Sequence, residues 1–75
     1  MEKEILKSLN EAFPQINFTE SEEMVDDGIL DSLTIVEMVS FLSMEYDIAI
    51  PYDEIIPENF NSITAIAGMV ERLKK

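Results

Sequence analysis

Apolar side chains recur at helical spacing in separate stretches of this chain, and its prolines stand between them. Proline lacks an N–H and cannot continue a helix, so the two patterns together divide the chain into short helical pieces. Residues 2–13 place Ile5, Leu6, Leu9 and Phe13 on one face, and Pro14 follows as a stop. Residues 32–46 carry Ile35, Met38, Val39, Leu42 and Tyr46 at i, i+3, i+4, i+7 and i+11, the stripe of a helix with one face inward. Near the end, Ser62 suits a helix cap, and Ile63, Ile66, Ala67, Val70 and Leu73 share the face that follows. Arg72, Lys74 and Lys75 then suit the negative pole of that helix. Asp47-Ile48-Ala49-Ile50-Pro51 alternates like a short extended connection. Pro51 is expected to open a short helix over roughly residues 52–56, with Pro57 ending it. The expected fold is all-α: one domain over residues 1–75, a small four-helix bundle with three longer helices and a short third one.

Residues 14–31 show no sustained helical period, and Thr19 to Glu23 is polar and acidic. Ile16, Phe18, Met24, Val25, Ile29 and Leu30 are expected to pin this segment onto the core. A loop of this length in a small domain is usually functional or carries a turn of its own. Gly28 suits a backbone conformation that a Cβ would resist.

With 47% hydrophobic residues spread along its length, the chain can fold despite a formal charge of -11. The absence of Cys rules out disulfides and thiolate metal sites. Met1-Glu2-Lys3-Glu4 is unlike a signal peptide and no apolar run would span a bilayer, so the expectation is a cytoplasmic protein, not embedded in a membrane. The cations Lys3, Lys7, Arg72, Lys74 and Lys75 all lie near the termini, whereas every acid except Glu2 and Glu4 lies between Ser8 and Glu71. Such a surface repels nucleic acid, whose binding draws on cations meeting phosphates. It steers basic protein surfaces toward itself.

Catalysis finds little support. A serine nucleophile needs a base, the chain has no His, and no G-x-S-x-G turn is present. Asp26-Asp27-Gly28 resembles the middle of a calcium loop, but with Gly28 at the sixth position Val25 takes the third and Thr34 the twelfth, where carboxylates are needed. No metal site is expected, and the chain is not expected to be an enzyme.

One stretch, GILDSLTIVEM at residues 28–38, puts a serine where loop becomes helix. A helix start offers unpaired N–H groups and a positive dipole end, which favour a phosphate group on Ser32. The plainer alternative is a cap: Asp31, Ser32 and Thr34 are all capping types, and Thr34-x-x-Glu37 fits a capping box. Leu33 and Val36, with Glu37 beside them, lie off the core stripe. Either they form a docking surface with an apolar centre and a charged rim, or they broaden the buried face.

Asp31-Ser32-Leu33 resembles the D-S-L motif of acyl carrier proteins and their peptidyl and aminoacyl carrier relatives. The likeness continues through Thr34-Ile35-Val36-Glu37-Met38-Val39, and Tyr46-Asp47-Ile48-Ala49-Ile50-Pro51 is similar to the family's F-D-I-x-I-P at the family's spacing. It implies that Ser32 receives 4′-phosphopantetheine and that the arm carries an acyl or aminoacyl thioester. It also implies that Asp31, Leu33, Val36 and Glu37 contact partners. Those partners would be a phosphopantetheinyl transferase, an acyl- or aminoacyl-activating ligase and acyl-transferring enzymes with basic docking surfaces. Ile63 and the inner stripes would surround an acyl cavity, and the protein would act as a monomer. Thr34 after the motif, Ser43-Met44-Glu45 late in the second helix and Gly28-Ile29-Leu30 before the motif depart from fatty-acid carriers. Gly28-Ile29-Leu30-Asp31-Ser32, together with Asn59-Phe60-Asn61-Ser62-Ile63, looks more like D-alanyl and other aminoacyl carriers. A dedicated pathway then fits better than general fatty-acid synthesis. The reading from another class is an acidic helical adaptor with no prosthetic group.

Overall fold

A computed structural model describes residues 2–19 and 21–74. Helix α1 (Glu2–Ala12) turns Ile5 and Leu9 fully inward. It stops just short of the expected end. Phe13 still donates its N–H to the Leu9 carbonyl at 2.8 Å, but Pro14 prevents a further turn. The Phe13 ring is buried and meets Phe18 and Phe41 edge-on, at centroid distances of 6.5 and 6.0 Å.

Helix α2 (Ser32–Tyr46) has the expected bounds. Of its stripe, Met38 and Leu42 are fully buried, while Ile35, Val39 and Tyr46 are half-buried against the core. The helix ends on Asp47, whose φ of 53° lies in the left-handed region, with its N–H returned to the Ser43 carbonyl. Asp tolerates that conformation better than branched or bulky residues do.

The next segment corrects an expectation. Tyr52–Glu54 forms only a single 3-10 turn, and the short helix α3 is Pro57–Phe60. Pro57 opens this helix instead of ending one, because the first helical position needs no N–H. Phe60, at its last position, is fully buried.

Helix α4 (Ile63–Leu73) begins at the Ser62 cap, whose hydroxyl accepts the Ala65 N–H at 3.1 Å. It packs against α1 and α3. Ile63, Ile66, Ala67 and Val70 are buried as expected, joined by Met69, while Leu73 is half-buried. Regular structure among the described residues is entirely helical, so the bundle expectation holds.

The segment before α2 is pinned as its apolar residues suggest. Phe18, Met24 and Leu30 are buried, and Ile16, Val25 and Ile29 pack against the same core. Its backbone closes on itself: the Met24 carbonyl accepts the N–H groups of Ile29 at 2.9 Å and Leu30 at 3.1 Å. Gly28 makes that turn with a φ of +83°. No polar or charged side chain among the described residues is buried, so the acids remain at the surface.

Candidate functional site

The start of α2 is built by Asp31. Its backbone is extended, its carboxylate accepts the Thr34 N–H at 2.8 Å, and its carbonyl accepts the Ile35 N–H at 2.9 Å. The Thr34 N–H, and after it the Thr34 hydroxyl, hold the Asp31 carboxyl below its ordinary value of 3.8. Asp31 is therefore an anion at neutral pH. The expected Thr34-x-x-Glu37 capping box is not formed: Thr34 lies inside the helix, and the N-cap role belongs to Asp31.

Ser32 is the first helical residue, and it is exposed. It sits on the edge of an open cleft of about 280 Å³. Val25 from the preceding loop, Ile35 and Val36 from α2, and Ile55, Ile56, Pro57 and Phe60 from the far side complete the lining. Ser32 thus contributes a hydroxyl to walls whose other side chains are apolar.

Leu33 is 68% exposed and Val36 58% exposed. They do not broaden the buried face of the helix. Together with exposed Glu37, they flank Ser32 on the outer surface. Ile63 goes elsewhere. It is buried at the start of α4 and borders a separate depression with Phe18 and Ser62, not the cleft at Ser32. No residue of α4 lines the cleft at Ser32, whereas Ile35 of the α2 stripe does.

Sequence reasoning gave no role to the far wall, Ile55 to Phe60, nor to Asn61 behind it. Asn61 binds the loop backbone through its side chain across the whole of α2. Such a contact has no periodicity, so the only available signal was an amide-bearing residue directly before a cap.

The chain has no His that could pair with Ser32 as a base. Ser32 itself is exposed to solvent. Among the described residues no helix is long and apolar enough to cross a membrane.

No family model matches the chain, and no solved structure matches it. Curated proteins do. A D-alanyl carrier protein of Streptococcus pyogenes serotype M5 (strain Manfredo) is 36% identical over 53 residues, covering 71% of this chain and 67% of that protein. The D-alanyl carrier protein of Streptococcus mutans serotype c (strain ATCC 700610 / UA159) aligns over 75 residues at 28% identity, covering 99% of this chain and 95% of its own length. With an exposed serine at the head of α2 and relatives of this kind, the chain belongs to the carrier protein family, where D-alanyl carrier proteins are its relatives.

Proposed function

We propose that Ser32 is the attachment point for a 4′-phosphopantetheine arm and that the carried group is a small aminoacyl group of the D-alanyl kind. The observation that carries this reading is the exposed Ser32 hydroxyl at the head of α2, beside an otherwise apolar cleft. When attached, the arm supplies the thiol that a Cys-free chain lacks and holds its cargo as a thioester.

The residues fit such a group. The first-turn N–H groups of α2 that Asp31 does not occupy favour a phosphodiester, and the apolar cleft suits the hydrocarbon parts of an arm. A small cargo accords with the interior: Met38, Leu42, Phe60, Ile66 and Met69 are all fully buried, so the core is already occupied by side chains. That the relatives are D-alanyl carrier proteins points the same way. Leu33 and Val36 would give partners an apolar contact, and Asp31 and Glu37 its acidic rim. The partners are a modifying transferase, an aminoacyl-activating ligase and an acyl-transferring enzyme with basic docking surfaces, all in the cytoplasm. In this role the chain presents the thioester as a monomer and catalyses nothing.

Incubation with coenzyme A and a broad-specificity phosphopantetheinyl transferase should raise the intact mass by one arm. Ser32→Ala should remove that gain while leaving the helical circular dichroism in place. An unchanged mass of the unsubstituted chain across several transferases would overturn the reading.

A further inference from the structure

Asn61 stands between α3 and α4, half-buried, and reaches back to the loop that delivers Ser32. Its Oδ1 accepts the backbone N–H of Val25 at 2.8 Å and that of Asp26 at 3.3 Å. Its Nδ2 donates to Asp26 Oδ2 at 3.3 Å. With N–H donors on one side and a carboxylate on the other, the amide can sit only one way round. The Asn61 carbonyl meanwhile accepts the Met24 N–H at 2.8 Å. Met24 passes the tie onward, since its carbonyl holds Ile29 and Leu30, the residues before the Asp31 cap. Val25 itself forms part of the cleft wall at Ser32. One residue therefore secures both the approach to the serine and one side of its cleft.

We infer that Asn61 is a positioning residue for modification of Ser32, holding the Met24–Leu30 segment in the form that a modifying enzyme engages. This rests on the reading that Ser32 receives the arm. Without the Asn61 amide, the N–H groups of Val25 and Asp26 lose their shared acceptor, and the segment regains backbone freedom. An enzyme that docks on the ordered form then binds in proportion to the fraction ordered. Once docked, the same serine hydroxyl is presented, so turnover is preserved. The effect falls on KM, not kcat.

The test measures amide hydrogen exchange and steady-state loading with coenzyme A and a phosphopantetheinyl transferase. It compares the unsubstituted chain with Asn61→Ala, with the pair Asn61→Asp/Asp26→Asn, and with Ser62→Ala. The pair keeps an acceptor for both N–H groups and reverses the donor and acceptor between the two side chains. Ser62→Ala removes the neighbouring helix cap but no hydrogen bond to the Met24–Leu30 segment. Asn61→Ala should speed exchange at Val25, Asp26 and Leu30 and raise KM for the carrier about tenfold, with kcat within about twofold. The reversed pair should bring KM back to within about threefold of the original, and Ser62→Ala should leave it unchanged. An unaltered KM in Asn61→Ala, an equal rise in Ser62→Ala, or a loss confined to kcat would overturn the inference. If Asn61→Ala does not fold, recovery in the reversed pair supports the tie, and a tenfold KM rise there refutes it. If the unsubstituted chain is never loaded, the Ser32 reading fails. Exchange then decides the tie by itself: unchanged protection at Val25 and Asp26 in Asn61→Ala refutes it.

Discussion

The two long connections of this bundle are held in opposite ways. The described residues among 13–31 form no regular helix, yet they bury Phe13, Phe18, Met24 and Leu30. Residues 47–62 contain the 3-10 turn and α3, yet they bury only Ile48 and Phe60, leaving Tyr52 90% and Ile56 41% exposed. A polar clasp holds this second connection. Arg72 Nη1 donates to both carboxylate oxygens of Glu54 at 3.1 Å, and Arg72 Nη2 donates to Asn59 Oδ1 at 3.4 Å. Asn59 Nδ2 donates to the Glu54 carbonyl at 2.7 Å and to its carboxylate at 3.0 Å. Regular secondary structure is thus a poor guide to how firmly a segment is attached; burial is the better one. The cleft at Ser32 lies between the two connections, with Val25 on one side and Ile55 to Phe60 on the other. Its near wall is half-buried Val25, and its far wall runs from exposed Ile56 and Pro57 to fully buried Phe60.

The contrast breaks first at Met24. Its side chain is fully buried, so Met24→Ala should cost about 3 kcal/mol in urea unfolding, against about 1 kcal/mol or less for Ile56→Ala. Equal losses would mean that the second connection is seated as deeply as the first.

A smaller effect is expected at Asp31, where the first connection enters α2. Its carboxyl is held below 3.8 by Thr34, so the stabilisation is complete well above that pH and disappears as pH falls through the lower folded value. The melting temperature of Asp31→Ala should lie below that of the parent at neutral pH, and the gap should narrow in acid below 3.8. A gap independent of pH would mean that the charge of Asp31 contributes nothing to the cap.

The smallest change belongs to the clasp. Arg72 and Glu54 side chains are 54% and 23% exposed, so Arg72→Ala should cost about 0.5 kcal/mol and less in high salt. Hydrogen exchange should rise at Asn59 more than at Met24. A cost as large as that of Met24→Ala would move the second connection's anchor from its apolar residues to its ions.

The helices α1, α2 and α4 were legible because apolar periodicity and stop or cap residues agreed at each. Pro57 was misread because proline's two roles, ending a helix and opening one, look alike until a partner for the next turn is known. The motif could be placed at the head of α2, but the choice between Asp31 and Thr34 as cap depended on where the chain enters the helix. Exposure of Leu33 and Val36 was open for a related reason: in a small bundle, spacing does not say how wide the inward face is. The far wall of the cleft and the Asn61 tie join residues distant in sequence, and no local pattern could place them together.

The acids that crowd the middle of the chain also govern timing. A surface largely of one sign accelerates encounter with a basic partner through long-range attraction. In the proposed function, Leu33 and Val36 would offer a partner only a small apolar contact, and a small contact area gives a short residence. A carrier must visit a loading enzyme and a receiving enzyme in turn, so rapid arrival and rapid departure suit it better than tight binding. The same uniform sign makes copies of the chain repel one another, which in the proposed function would keep the face around Ser32 free for the next partner.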